Sequence, residues 1–212
     1  PYRNELHRRM ISTQDISGIV LAGGRARRFD LSGQIDKGLL LLQGQPLVQH
    51  LVRRLRPQVG TILISANRNP EQYVHWGRVV PDALELEDYL GPLAGLASVL
   101  DQISTSWALS CPVDLPFVPV DLGKRLIKAV EEQGAVPAYA QAERSHPLCL
   151  LLRTDQAAGL KEYLLSGERR VMSWLESIGA VEVDFRDAPA YAFFNINTPQ
   201  DLDQAQSWSV SP

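Results

Sequence analysis

The sequence is poor in the residues that form disulfide frameworks and clustered metal sites. It has two cysteines and four histidines in 212 residues. Cys111 and Cys149 are far apart in apolar surroundings, and they form neither a CxxC pair nor the spacing of a zinc site. We therefore interpret both cysteines as small buried residues rather than as metal ligands or nucleophiles.

Long apolar runs and a large net charge are also missing. No stretch approaches the ~20 apolar residues that span a bilayer. The run at residues 19–22 is too short for the apolar core of a secretory signal, so we expect a cytoplasmic protein without membrane contact. A net charge of −3 gives no general attraction to nucleic acid. An anionic ligand therefore needs a local positive site.

What the sequence does contain is an ordinary globular composition. Hydrophobic residues make up 45% of the chain and charged residues 21%, which predicts one well-cored domain over residues 1–212. Residues 1–14 and 207–212 show little apolar patterning. We predict flexible ends there.

Strand and helix patterns alternate along the chain. Short apolar runs predict strands at residues 18–22, 61–66, 79–80, 107–111, 135–140 and 147–152. Apolar residues at helical spacing predict helices at residues 46–56, 93–103, 119–132, 155–165 and 169–178, with a last helix after Thr198 and Pro199. The alternation predicts an α/β sandwich with a mainly parallel sheet that is covered on both faces.

Several polar or glycine-rich loops directly follow predicted strands. Sheets of this kind bind ligands at the carboxyl ends of their strands. We therefore expect one crevice to form from four loops, which follow Ala22, Ala66, Val80 and Cys111.

The first of these loops joins glycines to basic residues. The segment contains Gly23, Gly24, Arg25, Arg27, Arg28 and Lys37. It matches neither the dinucleotide fingerprint nor the P-loop. Glycines let the backbone approach a phosphate closely, and arginine and lysine supply donors and charge. A tight turn beside a solubilising patch explains the same residues equally well.

Asp114 follows the predicted strand at residues 107–111 and lies between Pro112 and Pro116. A carboxylate held in such a rigid loop suits Mg²⁺, which takes one or two protein carboxylates and completes its shell with water and phosphate oxygens. The alternative is a turn or a cap before the helix that begins near Pro119. Taken alone, the turn or cap is the more common role.

Two further loops favour contacts with a nucleotide base. Gly91 and Pro92 begin a predicted helix, whose N-terminus can receive an anion or a base edge. Asp82 follows a predicted strand and can accept a hydrogen bond from a base edge. A plain helix start and a turn aspartate are the alternatives.

The C-terminal part adds polar residues whose roles remain open. Asn195 and Asn197 are predicted to alternate along a strand and so to face one side. The run from Asn197 to Pro199 is also typical of a helix N-cap. His146 stands alone in a loop and is interpreted as structural or solvated.

Taken together, these motifs resemble one family, the molybdenum cofactor guanylyltransferases of the nucleotidyltransferase-like superfamily. The resemblance runs from about residue 18 to residue 202. It includes LAGGRARR at 21–28, DKGLL at 36–40, ANR at 66–68, GPLAG at 91–95, CPVDLP at 111–116, HP at 146–147, GERRV at 167–171, VDF at 183–185 and NINTPQDL at 195–202. The resemblance implies a single three-layer α/β/α domain with a Rossmann-like sheet, of the nucleotide-diphospho-sugar transferase type.

The resemblance also implies an activity, namely transfer of GMP from GTP to molybdopterin with release of pyrophosphate and with Mg²⁺ as the cofactor. It implies that Asp114 holds the metal and acts in catalysis together with Lys37, Arg25 and Arg28. The implied nucleotide-binding residues are Leu21, Ala22, Gly23, Gly24, Lys37, Ser65, Asp82, Gly91, Pro92, Leu93 and Asp114. The implied molybdopterin-binding residues are Arg169, Arg170, Asn195 and Asn197, which assigns the second substrate to the C-terminal half.

The chain departs from this family at two places. The segment between Arg28 and Lys37 is longer than usual, and Ser65 stands where the family often has asparagine. A cytidylyltransferase or sugar-phosphate nucleotidyltransferase on the same fold is one alternative function. A non-catalytic nucleotide- or pterin-binding protein is another. The resemblance also suggests molybdenum-inserting proteins and apo-molybdoenzymes as partners.

Overall fold

The computed structural model describes residues 10–23, 29, 35–86, 91–134 and 136–208. The helices are α1 Leu47–Leu55, α2 Pro70–Tyr73, α3 Pro92–Leu100, α4 Leu122–Glu132, α5 Ala157–Leu165, α6 Val171–Ser177 and α7 Pro199–Gln206. The strands are β1 Ile16–Leu21, β2 Leu41–Leu42, β3 Gln45–Pro46, β4 Thr61–Ser65, β5 Arg78–Val80, β6 Trp107–Pro112, β7 Ala138–Gln141, β8 Ser145–Arg153 and β9 Val181–Asp184.

Seven strands form the central sheet in the order β5-β4-β1-β6-β8-β7-β9. The pairs from β5 to β6 are parallel, as is the pair of β7 with β9. Strand β8 runs antiparallel to both of its neighbours. The predicted mainly parallel sheet is confirmed, with one reversed strand at the β7–β8 hairpin.

The parallel strands end at the same level, and this alignment positions the crevice. Leu21 at the end of β1 is in register with Ser65 of β4 and with Pro112 of β6. Ser65 is in turn in register with Val80 of β5. The loops that follow these strands therefore leave the sheet side by side.

Apolar residues cover both faces of the sheet, as the unbroken apolar strands predicted. Every residue of β1 is buried. One core cluster packs α1 and α4 against one face, and a second packs α3, α5 and α6 against the other. Helix α3 is buried from Leu93 to Leu100, so it lies between the sheet and α5 rather than on the surface.

Some predicted bounds shift in the structure, and four short elements were not predicted. Helix α4 begins at Leu122 rather than at Pro119, whose carbonyl accepts a hydrogen bond from the Leu122 amide in the preceding turn. The short hairpin of β2 with β3, the one-turn helix α2 and the edge strand β9 were missed. The hairpin and α2 are too short to show a clear period, whereas β9 does alternate between half-buried valines and exposed acidic residues, but over only four positions.

The two cysteines are buried and free, as predicted. Among the described residues, no helix is both long and apolar enough to cross a membrane.

Candidate active site at the carboxyl ends of the strands

A cleft of about 550 Å³ opens where β1, β4, β5 and β6 end. The predicted meeting of four loops in one crevice is confirmed. The cleft is lined by Leu21, Gly23, Lys37, Ser65, Asn67, Asp82, Gly91, Pro92, Gly95, Pro112, Val113, Asp114 and Leu148.

Lys37 and Asp114 meet on one side of this cleft. The Lys37 ammonium donates to Asp114 Oδ2 over 2.8 Å and to Asn197 Oδ1 over 2.6 Å. The side chains of Lys37 and Asp114 are 12% and 19% exposed, so the ion pair is largely shielded from water. The structure thus joins a cation, an anion and an amide from three distant parts of the sequence.

The loop that carries Asp114 is held by backbone hydrogen bonds on both sides. The Val113 amide donates to the Leu21 carbonyl over 3.0 Å, and the Ile196 amide donates to the Asp114 carbonyl over 2.9 Å. These bonds extend the β1–β6 ladder by one residue and attach the segment around Asn195 and Asn197. The position of Asp114 is therefore fixed by the sheet itself.

Asp114 also carries an unsatisfied atom. Its Oδ1 is buried and has no hydrogen-bond partner among the described residues. A buried carboxylate oxygen without a donor is costly unless a ligand completes it. Among the described residues no group of three or more potential metal ligands occurs, so a cation bound here would take its other ligands from substrate and water, as Mg²⁺ commonly does.

The two asparagines do not face one side of a strand, contrary to the prediction. Residues 194–197 form no strand, so the predicted alternation of Asn195 and Asn197 along a strand is wrong. Asn197 contacts Lys37 as described, while Asn195 Oδ1 accepts from Arg144 Nη2 over 2.9 Å. The predicted helix cap is present at the next residue, because Thr198 and Asp201 form a capping box at the start of α7.

The opposite end of the cleft carries a second carboxylate. Asp82 Oδ2 accepts from Asn67 Nδ2 over 2.9 Å, and the Asp82 amide donates to Asn67 Oδ1 over 2.8 Å. Burial raises the pKa of Asp82, and the hydrogen bond from Asn67 partly opposes this. Asn67 was not predicted as a site residue, although it lies in the ANR motif.

Ser65 and Gly95 lie beside Asp82 at the same end. A Cβ atom added to Gly95 would collide with Ser65 Oγ and would lie 3.4 Å from Asp82 Oδ1. Only glycine at this position of α3 leaves both oxygens room. This close approach gives the second glycine of the GPLAG motif a physical reason.

The other predicted nucleotide-binding residues divide into two groups. Leu21, Gly23, Gly91 and Pro92 line the cleft, and Pro92 occupies the first turn of α3. Ala22 is buried, with its amide donating to the Ser65 carbonyl over 2.9 Å. The Leu93 side chain packs in the core under α3.

Three predicted residues, Gly24, Arg25 and Arg28, lie outside the described residues.

A smaller cavity of about 270 Å³ adjoins the cleft. The two share Pro112, Asp114 and Leu148 as a common wall. The smaller cavity is also lined by Leu115, Arg144, Ser145, His146, Pro147, Cys149, Val171 and Asn195. Arg144 is exposed and was not predicted, because a lone arginine in a turn carries no sequence signal.

His146 is one of the buried residues of this second cavity. Its ring stacks on Phe193 with centroids 4.6 Å apart. Burial lowers its pKa to about 4, with Arg144 acting in the same direction and Asp114 in the opposite one. The ring is therefore neutral near pH 7, in agreement with a structural role.

Arg169 and Arg170 line neither cavity. Arg169 Nη1 donates to the Leu164 and Glu168 carbonyls over 3.2 and 2.9 Å, and Arg170 is the N-cap residue of α6. Their neighbour Val171 does line the second cavity. The structure thus places the two arginines beside this cavity rather than in its wall.

Comparison with known proteins agrees with this geometry. Residues 18–181 match the MobA-like NTP transferase domain family. The chain is 43% identical over 194 residues to a molybdenum cofactor guanylyltransferase of Histophilus somni (strain 129Pt), covering 91% of this chain and 96% of the relative. It is 40% identical over 205 residues to a molybdenum cofactor guanylyltransferase of Cupriavidus metallidurans, covering 93% and 98%.

Solved structures share the fold. Molybdopterin-guanine dinucleotide biosynthesis protein A from Archaeoglobus fulgidus is similar with a TM-score of 0.71 and 24% identity, covering 90% of this chain and 96% of that one. The 2-C-methyl-D-erythritol 4-phosphate cytidylyltransferase from Thermus thermophilus is similar with a TM-score of 0.64 and 15% identity, covering 89% and 96%. At these identities the likeness concerns the fold alone.

Proposed function

The chain belongs to the molybdenum cofactor guanylyltransferase family of MobA-like NTP transferases, and we propose that it transfers GMP from GTP to molybdopterin with release of pyrophosphate. The observation that carries this proposal is the Lys37–Asp114 pair in the cleft, with Asp114 Oδ1 buried and, within the described part of the chain, without a hydrogen-bond partner. A protein that only binds nucleotide has no need for a buried carboxylate oxygen in the cleft that is left open to a metal ion.

We propose that GTP lies along the 550 Å³ cleft. Its base would bind at the end formed by Ser65, Asn67 and Asp82, where Asp82 can accept from the N–H groups of guanine. Its triphosphate would extend past Gly23 to Lys37. An ammonium that is largely shielded from water attracts phosphate oxygens more strongly than an exposed one does.

The donors in the cleft fit Mg²⁺, and we propose that Asp114 would hold this ion. Asp114 offers one free carboxylate oxygen, and Mg²⁺ combines one or two carboxylates with phosphate oxygens and water. When bound, Mg²⁺ would neutralise charge on the phosphates of GTP.

The residues of the chain would act by positioning and by charge. A phosphate oxygen of molybdopterin attacks the α-phosphorus, the bond between the α-phosphorus and its bridging oxygen breaks, and pyrophosphate leaves. Lys37 would stabilise the charge that builds up on the phosphate oxygens, and Asn197 would keep the lysine aimed at them. The attacking phosphate is already anionic, so the reaction needs no strong general base.

We propose that molybdopterin binds in the 270 Å³ cavity beyond Asp114. Asn195 and Arg144 would contact its polar groups there, and the exposed Arg169 and Arg170, which precede the cavity residue Val171, would attract its phosphate. The wall that both cavities share supports this arrangement, because it would bring the two substrates together at Asp114.

We propose that this reaction occurs in the cytoplasm, and the two free buried cysteines agree with a reducing compartment. The product would pass to a molybdenum-inserting protein or to an apo-molybdoenzyme.

The test is a pyrophosphate-release assay on the purified protein with Mg²⁺ and molybdopterin. GTP, CTP and UTP are compared at equal concentration, and a reaction without molybdopterin is the blank. We expect release that depends on molybdopterin and is fastest with GTP. Preference for CTP would make the protein a cytidylyltransferase, and absence of release with every nucleotide would reject the enzymatic function.

A further inference from the structure

A buried hydrogen-bond cluster lies next to Lys37, around the residue that precedes it. Its centre is Asp36, which is 8% exposed. Asp36 Oδ1 accepts from the Tyr73 hydroxyl over 2.5 Å and from the Gly38 amide over 3.2 Å, and Oδ2 accepts from Asn69 Nδ2 over 2.9 Å. Both carboxylate oxygens of the residue that precedes Lys37 are thus satisfied.

The chain is shaped to bring these groups together. Tyr73 ends α2 and is fully buried. A Cβ atom on Gly38 would collide with the Tyr73 hydroxyl, so only glycine lets the tyrosine come this close. Asn69 adopts a left-handed backbone with φ of 49°, which turns the chain into α2. Glycine and asparagine are the residues that accept such positions most readily.

We propose that Tyr73 and Asn69 are positioning residues that act through Asp36 to aim Lys37 at the reacting phosphates. The inference rests on the proposed function for its activity readout. Lys37 opens the short 3₁₀ turn Lys37–Leu39, which Asp36 caps. Fixing the Asp36 side chain therefore fixes the backbone from which the Lys37 side chain extends to Asp114 and Asn197.

The hydrogen bond from Tyr73 to Asp36 favours a rigid backbone at Lys37. Burial and the neighbouring Asp36 carboxylate raise the pKa of Tyr73 far above its usual value, so the hydroxyl stays protonated and donates. Hydrogen bonds to a carboxylate are stronger than neutral ones. Such a support removes the cost of ordering a lysine side chain when substrate arrives.

The first test compares Tyr73→Phe with a matched control, Tyr139→Phe. Tyr139 is also buried and also donates to a carboxylate, that of Glu182, over 2.8 Å, but it lines neither cavity. We expect Tyr73→Phe to lower kcat about tenfold, equivalent to about 1.4 kcal/mol in the barrier, with the KM for GTP changed less than threefold. Tyr139→Phe is expected to keep the wild-type kcat.

The second test monitors the backbone amide of Lys37 by NMR and does not depend on enzymatic activity. The chain has four lysines, so protein labelled with ¹⁵N-lysine gives one backbone amide signal for each, and Lys37→Met identifies the signal of Lys37. We expect Tyr73→Phe to shift or broaden this signal and to leave the signals of Lys124, Lys128 and Lys161 in place. Asn69→Gly accommodates the left-handed backbone and removes the side chain that donates to Asp36 Oδ2, so it supplies a second variant if Tyr73→Phe fails to fold.

The outcomes are distinguishable. An unchanged kcat and an unchanged Lys37 signal in the folded variants would overturn the positioning role. So would equal losses of kcat in Tyr73→Phe and Tyr139→Phe, because these would reflect general destabilisation. An inactive wild-type protein whose Lys37 signal still responds to Tyr73→Phe would reject the proposed function and leave the positioning role supported.

Discussion

Lys37 Nζ and Asp114 Oδ2 lie 2.8 Å apart, although 77 positions separate them in the sequence. The contact uses one carboxylate oxygen and leaves Oδ1 buried, with no partner among the residues that the structure describes. The positive charge of Lys37 and the negative charge of Asp114 nearly cancel before substrate binds. Asp114 therefore keeps one anionic oxygen for a cation. The Lys37 ammonium has three protons, of which one is donated to Asp114 and one to Asn197, so the third is left for a phosphate oxygen.

Asp114→Asn tests the carboxylate at nearly constant size. Because an amide is a poor ligand for a hard cation, we expect kcat for pyrophosphate release to fall at least about 100-fold. Asp187→Asn is the control, since Asp187 is an exposed partner of Arg125. Wild-type turnover by Asp114→Asn over a range of Mg²⁺ concentrations would reject the metal assignment.

Lys37→Met removes the ammonium and keeps the length of the side chain. We expect kcat to fall roughly 10²- to 10³-fold, as it does when a charge-stabilising donor is lost. Lys161→Met is the matched control, because Lys161 forms ion pairs with Glu85 and Asp101 away from the cleft. Steady-state kinetics of both variants give the comparison. Equal rates for the two variants would exclude the phosphate role of Lys37.

Asn67→Ala tests whether the orientation of Asp82 sets the preference for guanine. Without Asn67 the carboxylate loses a hydrogen bond of 2.9 Å and is free to rotate. We expect kcat/KM for GTP to fall roughly 10- to 100-fold, the range set by one hydrogen bond to a charged group, and the preference over CTP to weaken. Gln102→Ala, which removes an exposed partner of Arg78, is the control. An unchanged ratio of GTP to CTP would show that Asp82 does not read the base.

Gly95→Ala tests the close approach of α3 to β4. The added methyl group would collide with Ser65 Oγ, and overpacking of this kind costs roughly 1–3 kcal/mol. Urea unfolding should show this loss in the single variant and its partial recovery in Gly95→Ala with Ser65→Ala, which removes the oxygen. Strictly additive free energies of unfolding would contradict the collision.

Local patterns were enough to predict the sheet and the crevice. The apolar runs at β1, β4 and β6 and the glycines and aspartates that follow them are contiguous in sequence, so their arrangement follows from the rule that ligands bind at strand ends. The roles of Lys37 and Asp114 were predicted from the resemblance of their motifs to the family, because local pattern alone left a turn, a cap or a solubilising patch open.

Contacts between distant segments were not predictable in this way. The cluster of Asp36, Asn69 and Tyr73 joins residues that are 33 and 37 positions apart, and no period marks it. The segment at Asn195 failed as a strand because one of its amides, that of Ile196, bonds to the Asp114 loop instead of to a neighbouring strand. Both arrangements depend on tertiary contacts that override local pattern.

The lowered pKa of His146 predicts how the free energy of unfolding depends on pH. Its pKa is about 4 in the folded protein against 6.5 for the free side chain, so between these values the unfolded chain binds a proton that the folded protein does not. The free energy of unfolding should therefore be at its full value above about pH 6.5 and should fall as the pH drops toward 4. The loss approaches about 3 kcal/mol for a shift of this size.

Thermal unfolding in EDTA between pH 4 and 8 measures this slope, and two variants isolate its source. His146→Phe keeps a ring against Phe193 but does not titrate, so its melting temperature should fall less steeply in acid. Phe193→Leu removes the stacked ring and keeps the histidine, so it should melt lower at every pH and still lose stability in acid. The groups facing the ring, Arg144 and Asp114, act in opposite directions on its pKa. A wild-type slope in His146→Phe would place the acid sensitivity elsewhere in the protein.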